Sequence, residues 1–439
     1  MNKKNIFTAR KQEIEYTEGQ KEALTKINAF LEPEKIITRN NFFLLAGYSG
    51  CGKTTIAENI ANYKDAVILA PTNAAVNRLR DKINNPKLTY STIHGALFSP
   101  KDEKGKFRKT KALQPRKTYI IDECSMIDKY ILDIIIEDAI QKQCKVIFMG
   151  DSFQLEPVGY NPKIFNWENS YPDKFFPENR YELTEVKRYD GSLLKIATEL
   201  RLNKKPEFKQ PENSDLNIVS KFSKSLAKDI NENNNYVVLT STNSKRVTYN
   251  RQIRSYRFKD SAISNYAQNK DILVSVSNNN YYSNGEIFNI ENAFLISQFE
   301  LNIENKKEKD LKFEAMLYKQ GSIHILLIPE LTEPSLHGAQ IIESIENGKT
   351  TICKKTDYIL TVRGTKYNPD LIMFNKDVII ATYGYAISCH KAQGQEWNNV
   401  YIDGYWLMPV WDSAKWFYTA ITRAKQKVEI IQNKYLKMN

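Results

Sequence analysis

Gly47-Tyr48-Ser49-Gly50-Cys51-Gly52-Lys53-Thr54 is the stretch that decides the fold. It follows an apolar run, Phe42-Phe43-Leu44-Leu45-Ala46, and leads into Thr55-Ile56-Ala57-Glu58-Asn59-Ile60-Ala61, a segment of helical character. A strand, a glycine-rich turn and a helix in that order build a P-loop, in which backbone N–H groups close around phosphate oxygens at a helix N-terminus. Lys53 would reach the β- and γ-phosphates of a nucleoside triphosphate, and the Thr54 hydroxyl would ligate Mg²⁺. Gly47, Ser49, Gly50, Cys51, Gly52 and Thr55 complete the expected phosphate cradle.

Working outward, 439 residues give room for two or three domains with sizeable cores. A hydrophobic share of 41% and a charged share of 26% suit an ordinary globular protein. The N-terminus reads as lacking a signal peptide, and no apolar run approaches the roughly 18 residues that cross a bilayer. Five cysteines without C-x-x-C pairing argue against a disulfide framework or a structural zinc site, and four scattered histidines against a metal cluster. Cys51, Cys124 and Cys389 lie inside apparent motifs, which suits a reducing cytosol. A cytoplasmic protein, with no membrane partner, is the expectation.

The net charge of +12 suggests a polyanionic partner. Half of that excess falls between Lys101 and Thr118, where eight Lys/Arg meet two acids. Alone, such a run reads equally as a solvated basic loop.

Short apolar runs alternating with amphipathic segments are the pattern of βαβ units and a parallel sheet. In the first half the expected strands are 42–46, Ala66–Ala70, Thr118–Asp122 and Lys145–Met149, with a helix over Lys129 to Gln141. A second set follows at Tyr236–Thr240, Val378–Thr382, Val400–Asp403 and Val428–Gln432, so the chain should hold two α/β domains. Between them, 266–375 reads as a small β-rich insertion. It mixes hairpin material at Asn278–Gly285, a β-type run at Ile323–Ile328 and an apparent solvated loop at Glu304–Asp310.

Tyr119-Ile120-Ile121-Asp122-Glu123-Cys124-Ser125-Met126 is an apolar strand ending in adjacent acids. Asp122 can hold Mg²⁺ through water, and Glu123 can activate the water that attacks the γ-phosphorus. Met149-Gly150-Asp151-Ser152-Phe153-Gln154-Leu155-Glu156-Pro157 ends a further strand, where Gln154 could sense the γ-phosphate.

These elements, followed in order by His390-Lys391-Ala392-Gln393-Gly394 and Tyr418-Thr419-Ala420-Ile421-Thr422-Arg423, resemble the motif series of superfamily 1 helicases, most closely the Dda/RecD-like branch known as superfamily 1B. The similarity spans nearly the whole chain. Thr17-Glu18-Gly19-Gln20 resembles the family's adenine-reading element, and Leu183–Arg188 its fourth motif. Ala70–Ala75 and Ser91–His94 resemble its first DNA-contacting motifs. The resemblance implies two RecA-like parallel-sheet motor domains, 1–185 and 186–265 with 376–439. It also implies a β-hairpin pin at about 95–117 in the first and, over 266–375, a barrel-like insertion in the second.

ATP and Mg²⁺ are then the expected cofactors, and single-stranded and fork DNA the expected partners, with replication proteins possible and a monomer expected. Gln20 would take the adenine edge, or else be an exposed helix residue. Arg188 and Arg423 would reach the nucleotide from the second domain, an interdomain salt bridge being the other reading of Arg188. Gly394 and Glu396 are placed near ribose and phosphates by analogy alone. On the DNA side the resemblance implies Pro71, Thr72, Asn73, Thr92, Thr242, Asn243 and Ser388, with His94, His390 and Lys391; the two histidines could equally be core residues. Relatives usually carry threonine where Ser388 stands, and the hydroxyl survives. Phe98 or Phe107 could stack on a base or pack the foot of the pin.

Taken together, the resemblance implies an ATP-dependent DNA helicase translocating on a single strand, 5′-to-3′ by resemblance alone, in the host cytoplasm if phage-encoded. RNA as the track, a P-loop phosphotransferase and a non-catalytic binding module are its rivals.

Overall fold

Six runs of the first half pair into one sheet. They are β1 (Phe42–Gly47), β2 (Val67–Ala70), β3 (Thr89–Thr92), β4 (Thr118–Ile121), β5 (Lys145–Gly150) and β6 (Arg180–Leu183), in the order β3-β2-β4-β5-β1-β6. Every neighbouring pair is parallel. The computed structural model describes residues 15–32, 41–64, 66–98, 109, 111–155, 179–189, 191–202, 215–219, 236–258, 266–276, 281–282, 284–305, 311–329, 340–342, 351–355, 358–363, 378–404 and 413–431.

A parallel sheet needs cover on both faces, so its inner strands β1, β2, β4 and β5 are largely apolar and buried, while the edge strands β3 and β6 are polar and partly exposed. In β1, Phe42, Leu44 and Ala46 enter one core while Phe43 and Leu45 enter the other. Helices α4 (Ile93–Leu97) and α5 (Lys129–Gln141) fill the first core. The second is filled by α1 (Glu18–Leu31), α2 (Lys53–Lys64) and α3 (Asn73–Ile83). Side-chain caps set the helix starts: Thr17 on α1, Thr72 on α3 and Asp128 on α5.

The second half opens with α6 (Gly191–Arg201), β7 (Leu216–Val219), β8 (Tyr236–Thr240) and α7 (Asn243–Phe258). Nine strands follow: β9 (Ile272–Ser275), β10 (Ile287–Asn289), β11 (Phe294–Asn305), β12 (Leu311–Gln320), β13 (Ile323–Leu327), β14 (Gln340–Ile342), β15 (Thr351–Lys355), β16 (Tyr358–Arg363) and β17 (Val378–Tyr383). The described chain ends with β18 (Ala386–Ser388), α8 (Cys389–Ala392), β19 (Trp397–Asp403), α9 (Ser413–Ile421) and β20 (Ala424–Ile431). A second parallel sheet has the order β18-β8-β19-β20-β7.

The nine inserted strands form one sheet, β10-β9-β17-β13-β12-β11-β16-β15-β14, antiparallel except where β13 lies beside β17. Three expectations are corrected here. Val378–Thr382 does not join the second parallel sheet; it is paired between β9 and β13. An apolar run states that a strand is buried, not which sheet receives it. Where a small barrel was expected, the order among the described residues is open, with β10 and β14 at its ends. Glu304 and Asn305, read as loop, extend β11 by pairing with Ile359 and Tyr358, and 306–310 lie outside the described residues. Residues 278–280 and 283 of the hairpin material, and 99–108 and 110 of the proposed pin, Phe107 among them, also lie outside the described residues. Within the described part of the pin an antiparallel bridge joins Phe98 to Lys109.

This sheet shares a core with the second parallel sheet. Val238, Tyr401 and Ile431 pack in one cluster with Ile272, Phe288, Ile325, Ile379 and Tyr383. A polar knot reinforces the junction: buried Asp271 accepts from Arg254 Nε (3.2 Å) and Nη2 (3.1 Å), from the Tyr385 hydroxyl (2.6 Å) and from the Gln268 amide (2.7 Å). Arg254 also stacks over Tyr383 at 3.9 Å. Breaking such a pair leaves an uncompensated buried charge. Asp271→Ala should therefore cost about 3–5 kcal/mol, read as a lowered unfolding transition by calorimetry; a change below about 1 kcal/mol would show that the knot adds nothing to the apolar packing.

Candidate nucleotide site and nucleic-acid interface

The P-loop leaves β1 through Gly50 and Gly52, whose φ angles of 83° and 86° are open to glycine and costly for other residues. A side chain at Gly50 would also meet Arg188, whose Cβ lies 2.6 Å from the position a Cβ would take. The loop opens on a cavity of about 550 Å³, within the usual range for small-molecule sites. Its lining brings together Gln20, Ser49, Gly50, Gly52, Lys53, Thr54, Thr55, Asp122, Glu123, Gln154, Arg188, Glu396 and Arg423, nearly all the residues expected at the nucleotide. Gly47 and Cys51 are buried behind the loop, where a Cβ on Gly47 would meet the Cys51 sulfur at 2.8 Å. Gly394 is absent from this lining and lies beside α3, where a Cβ added to it would meet Ala75 Cβ at 3.4 Å.

Lys53 Nζ donates to the carbonyls of Gly47 (2.7 Å) and Tyr48 (2.9 Å), so the ammonium is folded over its own loop. Gln20 is neither exposed nor uncommitted. It is buried, its Oε1 accepts from Thr17 N (3.0 Å) in a capping box, and its Nε2 donates to Cys51 O (3.0 Å). One N–H and one lone pair of its amide remain.

Asp122 and Glu123 follow β4, both buried. Glu123 has φ 51° and ψ 41°, a left-handed conformation that costs a non-glycine residue about 1–3 kcal/mol and is seen chiefly where function demands it. Burial, then the neighbouring Glu123 charge, raises the Asp122 carboxyl above its ordinary range. Burial works against ionised Glu123 too, but Arg78, Arg423 and Lys53 outweigh it and hold its carboxyl low. Thr54 and Asp122 thus offer hard oxygen donors on one cavity wall, a donor set that fits Mg²⁺. Gln154 Oε1 is buried without a hydrogen-bond partner, a reserve acceptor beside the same space.

Two arginines converge on the P-loop: Arg188, which follows β6 of the first sheet, and Arg423, which follows α9 in the second half of the chain. Arg188 Nη1 donates to Ser49 Oγ (3.2 Å), and Arg423 Nη2 approaches the same oxygen at 3.4 Å. Arg423 is fastened by Nε to Thr419 O (3.1 Å), and Arg188 by Nη2 to Glu396 (2.6 Å). The salt bridge of Arg188 is therefore real, and it coexists with the P-loop contact.

Sequence reasoning missed several members of the site. Arg78, on α3, places Nη2 3.1 Å from both Asp122 Oδ2 and Glu123 Oε1, with Nη1 3.7 Å from Glu396. The Tyr418 hydroxyl donates to Asp151 Oδ2 (2.7 Å) and accepts from Ser49 N (3.1 Å). Arg201 pairs with Asp151 and Glu182 and lies over the Tyr48 ring. Leu155 N donates to Thr419 Oγ1 (3.0 Å), and Gln393 Nε2 donates to Leu155 O (2.8 Å). The loop after β5 is thus docked against α8 and α9. Asp151 and Tyr418 stood inside recognised motifs and could have been singled out; Arg78 and Arg201 carried no sequence signal beyond lying on amphipathic helices.

The residues expected at DNA occupy matching corners of the two parallel sheets. Thr72 follows β2, and Thr92 ends its neighbour β3, with Ala70 opposite Thr92 in the register. Thr242 follows β8, and Ser388 ends its neighbour β18, opposite Thr240. Thr72 and Thr92 cap helices, accepting from Ala75 N (3.2 Å) and Gly95 N (3.0 Å). Thr242 accepts from Lys245 N (3.3 Å), while Ser388 begins α8 without a side-chain cap bond. Pro71, Asn73 and Asn243 are half-buried beside them. His94 lies in α4, its ring 5.4 Å from that of Phe98. Phe98 is a correction: at 3% exposure it packs the core at the foot of the proposed pin and has no ring face to offer a base. Burial lowers His390, and burial together with the Arg246 charge pushes Lys391 down to about 8.

Residues 15–213 match the family model of an AAA domain, and residues 383–431 that of a UvrD-like helicase C-terminal domain. An uncharacterized protein of Acanthamoeba polyphaga mimivirus is 25% identical over 455 residues, 83% of this chain and 89% of that one. The ATP-dependent DNA helicase dda of Enterobacteria phage T4 is 31% identical over 205 residues, which cover 43% of each chain. A Pif1 helicase from Bacteroides, crystallised with ADP-AlF3 and single-stranded DNA, shares the fold over 97% of this chain and 95% of its own, with a TM-score of 0.51 at 16% identity. With a P-loop, an acid pair and two arginines around one cavity, this chain is a helicase-type ATP hydrolase that resembles superfamily 1B, the Dda/RecD-like branch.

Proposed function

We propose that the chain couples ATP hydrolysis to movement along single-stranded DNA and so unwinds duplex. The observation that carries this is Ser49, a P-loop residue on which Arg188 and Arg423 converge, Arg423 from the other half of the chain. A triphosphate bound at the P-loop would give those guanidiniums a stronger anion than a serine hydroxyl, drawing the halves together; its loss would relax them.

In this reading Thr54 and Asp122 would hold Mg²⁺, which would supply positive charge against the phosphates. Lys53 leaves the loop carbonyls for the phosphates. Glu123, held ionised by Arg78, Arg423 and Lys53, takes the proton of the attacking water. Gln20 reads the adenine edge with the N–H and lone pair it has left. Tyr418, bonded to both Ser49 and Asp151, reports P-loop changes to the loop carrying Gln154.

Pro71, Thr72, Asn73, His94 and Thr92 in one half, and Thr242, Asn243, Ser388, His390 and Lys391 in the other, hold the sugar–phosphate backbone without reading sequence. Lys391 suits this task, since a phosphate would restore the charge that burial disfavours. The segment 95–117 serves as the pin and 266–375 steadies it. The protein acts as a monomer in the cytoplasm, with movement 5′-to-3′.

The test is ATP turnover with and without a single strand, followed by forks bearing one 5′ or one 3′ tail. Turnover should be DNA-stimulated and only the 5′-tailed fork should open. If about five phosphates are held, strand affinity should fall roughly 10²-fold between 50 and 200 mM salt. Turnover indifferent to DNA would return the chain to the phosphotransferase class.

A further inference from the structure

Arg78 is in neither the P-loop nor the acid pair, yet it is the cation nearest both acids. Its Nη2 sits 3.1 Å from Asp122 and 3.1 Å from Glu123, and its Nη1 faces Glu396 at 3.7 Å. Two buried carboxylates side by side need positive charge, and here one guanidinium supplies it. Glu396 comes from the opposite half of the chain, where Arg188 (2.6 Å) and Lys425 (3.5 Å) also hold it. Arg78 therefore stands between two acidic positions on facing elements.

We propose that Arg78 is the resident counter-ion of the acid pair: it occupies the charge position that a divalent cation takes when metal–nucleotide binds, and Glu396 is the anion that retains it after displacement. A fork-shaped cation suits this because one arm can keep Glu396 while the other leaves Asp122. The geometry of α3 gives the exchange a second consequence. Thr72 and Asn73 at its start lie on the proposed strand track, and Ala75 packs on Gly394, so a shift at the track is passed to Arg78 within two turns. Arg78 is thus a positioning residue, acting through Asp122 and Glu123.

The inference rests on the nucleotide site above, and its test needs no turnover. Mn²⁺ binding to the full chain, without nucleotide or DNA, is followed by electron paramagnetic resonance. Arg78→Gln should bind Mn²⁺ about tenfold tighter than wild type, because the competing cation is gone. Should that variant fold poorly, Arg78→Lys keeps a charge but cannot grip both acids, and should bind about threefold tighter. Mn²⁺ should also raise the melting temperature of either variant more than that of wild type. Unchanged or weaker Mn²⁺ binding in the folded variants would overturn the inference. Wild-type turnover in the same preparation separates the two readings: if DNA-stimulated hydrolysis is present while Mn²⁺ binding is unchanged, only the role of Arg78 falls.

Discussion

Lys53→Ala should lower ATP turnover by roughly 10³ while leaving single-strand affinity within about threefold of wild type. The ammonium is already committed to the P-loop, 2.7 Å from Gly47 O and 2.9 Å from Tyr48 O, so it needs only to rotate to meet phosphate oxygens above the loop. Among the described residues, the neighbouring cations are committed elsewhere: Arg78 is tied to the acids, Lys82 donates to Thr55 Oγ1 at 3.2 Å and Lys187 donates to Glu15 O at 3.1 Å. Alanine removes charge from the reaction centre but leaves the strand ends that carry Thr72, Thr92, Thr242 and Ser388 as they are. Steady-state hydrolysis and fluorescence anisotropy with a labelled oligonucleotide separate the two effects. Retained turnover would remove the nucleotide from this loop; joint loss of turnover and strand binding would mean that loop and track fold as one unit.

The nucleotide cavity and the proposed strand track share their supports. The α3 helix starts beside the track, carries Arg78 to the acid pair and packs through Ala75 against Gly394. In the other half, α8 begins at Ser388 and ends just before Gln393, which bonds the loop after β5. Each half thus sends one helix from track to cavity, and the two meet where the nucleotide would lie. In the proposed function, closing that seam by a small rotation would change the spacing of the two corners, the movement a translocating motor requires.

How much of this the residues themselves disclosed follows from the range of the interactions. The P-loop, the acids after β4 and the strands at Phe42, Thr118, Lys145, Tyr236 and Val428 were legible because strand, turn and helix signals are local. The partners of Arg78 are 44 and 45 residues away, and those of Tyr418 are 369 and 267 away, beyond any periodicity. Gln20 was legible as a motif residue, but its capping box and its bond to Cys51 depend on how α1 meets the P-loop. Val378 was misassigned because β-propensity and burial are alike for a strand of either sheet. Phe98 could stack or pack on sequence alone, and the core behind α4 had room for its ring.

Removing the second-half arginine should show most directly whether hydrolysis needs both halves. Arg423→Ala is expected to cut turnover by about 10³–10⁵, the range found for arginines that meet a transferring phosphoryl group from across an interface. Nucleotide affinity should change by less than about tenfold, because the arginine acts chiefly on charge that develops in the transition state. Arg423 is 1% exposed, its Nε bonded to Thr419 O, and it contributes to holding Glu123 ionised, so the variant loses a phosphate ligand and some support for the general base. Arg423→Lys should recover little, since an ammonium cannot keep Thr419 and reach past Ser49 at once. Arg188→Ala probes the same oxygen from a less buried position, its side chain 21% exposed, and guards against a folding defect. If both arginines serve one transition state, the double variant should be scarcely slower than the worse single one. Turnover of Arg423→Ala within about tenfold of wild type, with its fold intact, would make the residue a strut between Thr419 and the P-loop and leave hydrolysis to the first half alone.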